Sequence, residues 1–387
     1  MNEKKPYIPL ELDLSIVWGR EDGNSNLKRP QIAIIGAGCM GAEHITTIEA
    51  VGEADVVGIY DPNPASIEYC LQLHPKLSGV KIYSSLDEAC ADKNSDSMII
   101  SSPNYTHLDV VKKVCKSKKH ILLEKPISAS LQDAWKISEL ARDYEKVFFI
   151  GLEYRFKPVY QVLLDELKER KTAGDIKMMY IMEHRRPFLN KWEEWNKFSE
   201  YSGGTMVEKC CHYFDLFNLM AESEPVKVYA SGAQDVNTGF EYEGRKSDII
   251  DNAFAIIDYA NGIRACLNLC MFMFCGGAKE EVIVNGDKAS LYAADHPENK
   301  LQIKATGRSP ARYISVEAPD VITTTGAHSG STYYEHVEFY KAVRSNIQPP
   351  VTAYDGFLAV AVGAAAEESV RTGMPVYMKD ILARAKQ

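Results

Sequence analysis

The sequence predicts an α/β domain built on a parallel sheet, followed by an α+β domain with a large, open, mostly antiparallel sheet. Between residues 31 and 150, short apolar strands alternate with helical segments, as in βαβ units. From 225 to 320, apolar and polar residues alternate instead, and the pairs Asn261-Gly262 and Asn285-Gly286 predict hairpins. A glycine-rich turn also joins the first strand to the first helix.

The first region has a regular order of elements. We expect strands at 31–35, 55–60, 80–83, 97–101, 119–123 and 147–150, and helices near 40–50, 64–73, 86–92, 106–117 and 130–144. Ligands of parallel sheets bind beyond the carboxyl ends of the strands, so the residues that follow each strand are the candidates for a site.

The turn after the first strand reads Gly36-x-Gly38-x-x-Gly41. In this motif Gly36 makes the tight turn, Gly38 lets a pyrophosphate approach the backbone, and Gly41 lets helix and strand pack closely. Free N–H groups at the start of the helix, near Cys39 and Met40, would bind the phosphates. The motif and its context predict a Rossmann domain that binds a dinucleotide.

The second strand ends at Asp61, about twenty residues past the last glycine of the motif. A carboxylate there can accept hydrogen bonds from both ribose hydroxyls, and it would repel the 2′-phosphate of NADP. The next residues, Pro62-Asn63-Pro64, offer no arginine for that phosphate. We therefore predict NAD as the cofactor. The alternative is an aspartate that only caps the following helix.

Two later strands also end in polar residues. The fourth is followed by Ser102-Pro103-Asn104-Tyr105-Thr106-His107, which we expect to lie against a ribose of the cofactor. A plain joint between strand and helix is the alternative. The fifth is followed by Glu124-Lys125-Pro126, where a carboxylate neighbour and a crowded cleft would hold the Lys125 side chain in one rotamer. A solvated ion pair is the alternative there.

Beyond residue 151, the predicted order is a helix at 158–172, a strand at 175–183, an aromatic loop, and a helix at about 204–221. The loop contains Trp192 and Trp195 and forms either a surface lid or the wall of a sugar pocket. In a continuous helix, Glu208, His212 and Asp215 share one face. Such a polar face in an apolar helix either lines a cleft or is fully paired.

These motifs together resemble the glucose–fructose oxidoreductase / inositol dehydrogenase (Gfo/Idh/MocA) family. The matching segments are Gly36-x-Gly38-x-x-Gly41-x-x-His44, Asp61, Pro103-Asn104-x-x-His107, Glu124-Lys125-Pro126, Gly151-x-x-Tyr154-Arg155-Phe156-x-Pro158 and Gly203-Gly204-x-x-x-Glu208-x-x-x-His212-x-x-Asp215. The resemblance implies an NAD-binding domain over 30–150, after an irregular N-terminal arm at 1–29. It also implies a substrate-binding and oligomerisation domain over 151–387.

The resemblance implies oxidation of a ring hydroxyl of an inositol, sugar or glycoside by NAD, or the reverse reaction. We assign His212 as the base, because histidine titrates near neutral pH. Lys125 would hydrogen-bond to the same hydroxyl and stabilise the developing alkoxide. Glu208, where many members have Asp, would orient His212 or bind a neighbouring hydroxyl. The expected pocket walls are Tyr154, Arg155, Arg185 and Trp195.

Two other functions remain open from the sequence. One is a glycosidase that oxidises and re-reduces its sugar with NAD, without net NADH production. The other is a non-catalytic, sugar-sensing regulator. The presence of both Lys125 and His212 argues against a regulator, which would not need the pair.

Composition narrows the partners. The net charge of −9 argues against nucleic acid or an anionic membrane as the main partner. No apolar run approaches the roughly 18–20 residues that span a bilayer, and the N-terminus lacks the apolar region of an export signal. Nine cysteines, several in apolar runs, indicate reduced thiols in a cytoplasmic protein rather than a disulfide framework.

The cysteines of the segment 263–275 do not predict a metal site. In a strand, Cys266 and Cys270 share a face and Cys275 falls on the other, and no histidine completes a zinc set. We therefore predict no metal. The aliphatic, sulfur-rich face of this segment instead favours a subunit interface, which would make the protein a homo-oligomer, a dimer or a tetramer.

Overall fold

The computed structural model describes residues 3–6, 28–188, 190–273, 278–295, 300–305, 310–317 and 330–387. The chain divides into two units, and each contains segments that are distant in sequence. The unit that we call the Rossmann unit comprises Leu12–Glu153 and Asp320–Phe357. The other, which we call the sheet unit, comprises Met1–Glu11, Tyr154–Pro319 and Leu358–Gln387.

The described strands and helices have the following bounds. The strands are β1 Glu3–Pro6, β2 Gln31–Ile35, β3 Asp55–Tyr60, β4 Lys81–Ile82, β5 Ser97–Ile100, β6 His120–Glu124, β7 Phe148–Gly151, β8 Ile176–His184, β9 Pro225–Ala233, β10 Glu241–Tyr242, β11 Arg245–Lys246, β12 Asn252–Tyr259, β13 Arg264–Cys270, β14 Glu280–Gly286, β15 Ala289–Asp295, β16 Lys300–Ala305, β17 Arg312–Glu317 and β18 Val376–Tyr377. The helices are α1 Cys39–Val51, α2 Pro64–Leu73, α3 Leu86–Ala91, α4 His107–Lys116, α5 Leu131–Arg142, α6 Pro158–Lys168, α7 Ser199–Ser202, α8 Thr205–Glu208, α9 Cys211–Ala221, α10 Ser331–Ser345, α11 Ala353–Thr372 and α12 Met378–Ala385.

The described part of the Rossmann unit contains a fully parallel sheet of order β4-β3-β2-β5-β6-β7. This confirms the predicted alternation of strands and helices, with ends displaced by one or two residues. All residues of β5 and β6 are buried. Successive strand residues point to opposite faces, so the helices cover both faces of the sheet at its centre. Helix α10, far along the chain, packs against α1.

In the sheet unit, ten of the described strands form one sheet of order β1-β17-β16-β15-β14-β8-β13-β12-β9-β18, and β10 and β11 form a separate two-stranded antiparallel sheet. The pairs β1–β17 and β8–β13 are parallel and the other pairs are antiparallel. This confirms the predicted large, mostly antiparallel sheet. Residues alternate along β12, where Ala255 and Ile257 are buried and Phe254 and Ile256 are exposed. One face therefore carries the core, while this part of the other face is open.

The prediction for the β14–β15 hairpin placed the turn two residues too early. Asn285 and Gly286 belong to β14, and Asp287 and Lys288 make the connection. A side chain at Gly286 would bring its Cβ within 2.1 Å of the carbonyl oxygen of Ala173. The glycine is therefore required by a close backbone approach within the strand rather than by the turn.

Two other sequence predictions also need correction. Residues 3–6 of the predicted irregular arm form β1, which pairs in parallel with β17 through partners such as Glu3 and Ile314. The remaining predictions for the arm up to residue 27 lie outside the described residues. The strand in the segment 263–275 ends at Cys270, and Cys275 lies outside the described residues.

The described residues include neither a membrane-spanning helix nor a disulfide bond. None of their helices combines the length and the apolar character needed to span a membrane. Their cysteines are all free thiols.

Candidate active site

The glycine-rich turn between β2 and α1 has a backbone suited to a dinucleotide. Gly36 has a φ of +100°, and a Cβ there would lie 2.6 Å from the backbone nitrogen of Ser102. A Cβ on Gly41 would lie 2.1 Å from the carbonyl oxygen of Gly36. At Gly38, by contrast, no described atom lies within 4 Å of the Cβ position. The space in front of Gly38 and the start of α1 fits a pyrophosphate.

Asp61 is attached to the same turn. Its Oδ2 accepts a hydrogen bond from the backbone N–H of Ala37 at 2.8 Å, and its Oδ1 accepts one from Asn63 at 2.8 Å. The cap of helix α2 is Asn63, whose side chain accepts from the N–H of Ala65. The helix-capping alternative for Asp61 therefore does not hold. A carboxylate has about four lone-pair sites, so capacity for ribose hydroxyls remains.

His107 connects two turns at the carboxyl edge of the parallel sheet. Its Nε2 lies 2.9 Å from the carbonyl oxygen of Ser102, and its Nδ1 lies 3.1 Å from that of Pro126. Burial lowers the pKa of the His107 imidazole. Asn104 is also buried. The structure thus places Ser102, Asn104 and His107 at this edge, and their direct contact with the cofactor stays a prediction.

Glu124 fixes the main chain of Lys125 and is itself held by a buried chain of side chains. Its Oε2 accepts from the N–H of Lys125 at 3.0 Å, and its Oε1 lies 2.8 Å from Nε2 of His44. The Nδ1 of His44 lies 2.8 Å from Nε2 of His336, whose Nδ1 lies 2.9 Å from the hydroxyl of Tyr340. Burial by itself raises the pKa of Glu124, but His44 and Lys125 hold that pKa below its ordinary value.

The sequence did not predict that His336 and Tyr340 support Glu124, and through it the backbone of Lys125. They belong to α10, almost three hundred residues from His44, and no local pattern links them.

Among the described residues, His44, Glu335 and His336 have ligand atoms close enough together, within 4.8 Å, to hold a metal ion. The two imidazoles are hydrogen-bonded to each other, and their outer nitrogens face Glu124 and Tyr340. Both rings are therefore satisfied without a cation, and the lack of a metal stays a prediction.

In the sheet unit, the helix predicted over 204–221 is two helices, α8 and α9. The N–H of Cys210 bonds to the carbonyl of Thr205 at 3.2 Å, and the N–H of Phe214 begins a new ladder on the carbonyl of Cys210. The prediction that these residues share one helix face therefore holds for His212 and Asp215, which both lie in α9. It does not hold for Glu208, which is the last residue of α8. The sequence gives no sign of the break, because it contains neither glycine nor proline there.

His212 stacks on Tyr154, with ring centroids 4.1 Å apart and planes 10° from parallel. The hydroxyl of Tyr154 accepts a hydrogen bond from Nζ of Lys209 at 2.6 Å and donates one to Oε1 of Glu280 at 3.0 Å. Oε2 of Glu280 pairs with Nζ of Lys157 at 2.5 Å. Burial alone raises the pKa of Glu280, but the ammonium groups of Lys157, Lys209 and Lys279 together bring it far below its ordinary value. This cluster fixes the plane of the His212 ring.

Arg185 joins the same buried cluster. Its Nη1 lies 3.5 Å from Oε1 of Glu183, and Nζ of Lys209 lies 3.2 Å from that same oxygen. Burial lowers the pKa of Arg185, but Glu183, together with Tyr154, Tyr213 and Glu280, raises that pKa above its ordinary value. Glu183 and Glu280 face each other across β8 and β14. Neither these two buried carboxylates nor the lysines that pair with them were predicted from the sequence.

The remaining predicted pocket residues have partners of their own. Arg155 makes a bidentate ion pair with Asp215, at 2.6 and 2.5 Å, which ties the segment Glu153–Phe156 to α9. Glu208 is paired with Lys191 at 2.9 Å, and that ammonium lies 4.3 Å from the ring centroid of Trp195. Glu208 is thus tied to the aromatic loop that precedes it. The roles of these residues toward a substrate stay predictions.

Two family models, one for each part of the chain, match this sequence. Residues 31–152 match the model described as "Oxidoreductase family, NAD-binding Rossmann fold", and residues 169–378 match "Oxidoreductase family, C-terminal alpha/beta domain". The chain belongs to the Gfo/Idh/MocA oxidoreductase family. It is accordingly an NAD-dependent dehydrogenase of the class that acts on CH–OH groups, as predicted.

Known members of the family resemble this chain over nearly its whole length. The scyllo-inositol 2-dehydrogenase (NAD(+)) of Bacillus subtilis (strain 168) is 27% identical over 349 residues, which are 89% of this chain and 95% of that protein. The myo-inositol 2-dehydrogenase of Thermotoga maritima is 24% identical, over 91% of this chain and 99% of that protein. A levoglucosan dehydrogenase solved with NADH and levoglucosan superposes with a TM-score of 0.80 at 16% identity, over 91% of this chain and 100% of that one, which shows the shared fold.

The cofactor of this family fits the residues of the Rossmann unit. The open space at Gly38, the start of α1, and Asp61 beside the turn are the features that a pyrophosphate and an adenosine ribose with free hydroxyls require. The Rossmann unit therefore supports the NAD prediction on its own geometry, in agreement with the family.

Proposed function

We propose that this enzyme oxidises a ring hydroxyl of a cyclic polyol, sugar or glycoside to a ketone, or catalyses the reverse reduction. The observation that carries the proposal is the buried, stacked imidazole of His212 in an NAD-dependent dehydrogenase. A histidine held in one plane by Tyr154 is prepared to accept a proton in a fixed direction. The names of the inositol dehydrogenases that resemble this chain point to the same substrate class.

In this proposal, His212 and Lys125 both act on the hydroxyl that is oxidised. Oxidation breaks the C–H bond as a hydride and the O–H bond as a proton, and leaves a C=O group. Bound NAD supplies the hydride acceptor at C4 of its nicotinamide. His212 takes the proton, and Lys125 donates a hydrogen bond to the same oxygen, which stabilises the developing alkoxide. Glu124 supports Lys125 by holding its backbone N–H.

The other residues of the candidate site would bind the rest of the ring. Glu208, which forms an ion pair with Lys191, would accept a hydrogen bond from a neighbouring hydroxyl of the substrate or orient His212. Tyr154, Arg155, Arg185 and Trp195 would form the walls. Trp195 suits this role because sugar rings stack on aromatic faces.

A panel of inositols, aldoses and glycosides tests the proposal directly. Each compound is incubated with the protein and NAD, NADH is followed at 340 nm, and products are identified by mass spectrometry. We expect NADH and a ketone in equal amounts for one group of related compounds. Release of a free sugar from a glycoside without net NADH would replace the proposal by the redox-assisted glycosidase, and no turnover of any compound would refute both.

We expect Asp61→Asn to reduce the preference for NAD over NADP by about ten- to a hundredfold. The amide keeps one acceptor for the glycine-rich turn, but it removes the charge that repels a 2′-phosphate, and charged hydrogen bonds contribute about 1.5–3 kcal/mol. The measurement is the ratio of kcat/KM for the two cofactors. Asp87→Asn, at a largely exposed carboxylate of the same unit, is the control. An unchanged ratio in Asp61→Asn would mean that the carboxylate serves only the turn.

We further propose that the open face of the sheet unit forms a contact between copies of this chain. A row of side chains crosses four neighbouring strands of this face, in the order Tyr229, Ile256, Cys266 and Tyr180. The nearby Phe254 is 59% exposed. An apolar row of this kind on an open sheet is typical of an interface. Light scattering that gives the mass of a single chain would refute the proposal.

A further inference from the structure

The sheet unit contains a cavity of about 340 Å³ beside the aromatic loop. Its apolar lining comes from the loop, from the segment around β10 and β11, and from the segments that flank β12 and β13. The principal apolar residues are Phe188, Phe240, Ile249, Ile250 and Met271. A mostly apolar concave wall with a few polar groups is the usual lining of a small-molecule site.

The charged side chains in the wall are already paired within the protein. Lys197 lies 2.6 Å from a carboxylate oxygen of Glu194, and its ammonium is 3.8 Å from the ring centroid of Phe240. The Asp251 carboxylate accepts three backbone N–H groups, from Asp235 and the two residues after it, at 2.7 to 3.0 Å. The wall therefore suits an uncharged ligand, because the polar atoms of both charged side chains are already hydrogen-bonded or paired within the protein.

The size of the cavity sets the size of its occupant. An apolar cavity of about 150 Å³ is enough to bind benzene. The cavity here is more than twice that volume. It accommodates a phenyl ring or a branched alkyl group together with the atoms that link it to a larger ligand.

The wall is built onto the elements that hold Glu208. Asn190 of the wall is followed directly by Lys191, whose ammonium pairs with Glu208. The carbonyl of Ile250, another wall residue, accepts a hydrogen bond from the hydroxyl of Thr205 at 2.5 Å, and Thr205 opens the helix that Glu208 closes. These two contacts attach the wall of the cavity to the helix that carries Glu208, within the same unit.

We propose that the cavity binds the aglycone of the substrate, and that the substrate is a glycoside whose aglycone is apolar and uncharged. This inference rests on the proposed function, and it selects glycosides from the broader class of polyols and sugars. The sugar ring presents a hydroxyl for oxidation, and the aglycone enters the cavity and binds there without reacting.

The first test compares methyl and phenyl glycosides of glucose and galactose, both anomers, with saturating NAD. We expect kcat/KM to be about ten- to a hundredfold higher for the phenyl compound, because a buried aromatic ring contributes about 1.5–3 kcal/mol. Most of the difference should appear in KM, since the aglycone binds equally in ground and transition states.

The second test places a bulky side chain at the cavity. Gly239 lines it, has no described atom within 4 Å of its Cβ position and has no left-handed backbone, so its backbone accepts a Cβ, and Gly239→Trp puts an indole at the cavity wall. Gly79, in the Rossmann unit, meets the same two criteria and supplies the control Gly79→Trp. We expect the ratio of phenyl to methyl kcat/KM to fall at least fivefold in Gly239→Trp and to remain unchanged in Gly79→Trp.

Calorimetric titration of the NADH-bound protein with the phenyl glycoside gives a second readout, and we expect weaker binding only in Gly239→Trp. Equal kcat/KM for methyl and phenyl compounds, a ratio that Gly239→Trp leaves unchanged, or oxidation of inositols alone would overturn the aglycone proposal while the proposed function stands. No oxidation of any compound in the panel would refute the proposed function and the substrate assignment together.

Discussion

Replacement of Lys125 by alanine is expected to lower kcat by at least about 10²-fold while the affinity for NADH stays within about threefold. A positioned group that stabilises charge or moves a proton in the transition state contributes about 10²–10⁴-fold. The alanine variant removes the ammonium but keeps the backbone N–H that Glu124 accepts, so the turn itself should survive. The measurements are steady-state kcat and a fluorescence titration with NADH.

The control for Lys125→Ala is Lys112→Ala, at a half-exposed lysine that pairs only loosely with Asp109 on the same helix. It should leave both kcat and NADH binding near the values of the original protein, since exposed ion pairs contribute little to stability. If Lys125→Ala kept near-full kcat, the lysine would have no part in the chemistry. If it lost NADH binding to the same degree as kcat, its role would be in holding the cofactor.

The parallel sheet was predictable because each of its strands is marked locally. Buried strands of an α/β sheet are short apolar runs, and turn residues such as Gly36 and Pro103 mark their ends. The predicted bounds for β2 and β3 agree with the structure to the residue. The glycine motif was equally readable, because each glycine meets a steric demand within a few residues of itself.

The supports of the candidate site were not predictable, because they come from distant parts of the chain. His44 meets His336 only after α10 has packed against α1. Glu183 and Glu280 lie opposite each other only in the register of β8 and β14, and Lys209 reaches Glu183 and Tyr154 from the break between α8 and α9. Pairing partners of this kind are set by tertiary structure, and a single sequence has no pattern that announces them.

The structure also changes the interpretation of three residues. The sequence predicts Glu208 and Asp215 on the helix face that carries His212, and Arg155 in the wall of the substrate pocket. The described contacts give each of them an ionic partner, with Arg155 on Asp215 and Lys191 on Glu208. A buried ion pair that loses one member leaves an uncompensated charge, at a cost of about 3–5 kcal/mol. Substitution of these residues therefore tests folding as much as catalysis, and Lys125 and His212 are the better targets.

Replacement of His212 by alanine is expected to lower kcat by at least about 10²-fold, because the hydroxyl then loses its positioned proton acceptor. Tyr154 keeps its hydrogen bonds to Lys209 and Glu280, so the buried cluster is preserved. The measurements are kcat and NADH affinity, with His184→Ala, at a half-buried histidine of the same unit, as the control.

A double variant decides whether His212 and Lys125 act on one hydroxyl. Groups that serve the same step as a unit show losses that are far from multiplicative, so Lys125→Ala/His212→Ala should be little worse than the poorer single variant. Groups that act independently multiply their losses, which here would mean about 10⁴-fold or more. Multiplicative losses would therefore contradict the shared hydroxyl even if both single variants were inactive. Near-full kcat in His212→Ala would exclude the histidine as the base, whatever the double variant showed.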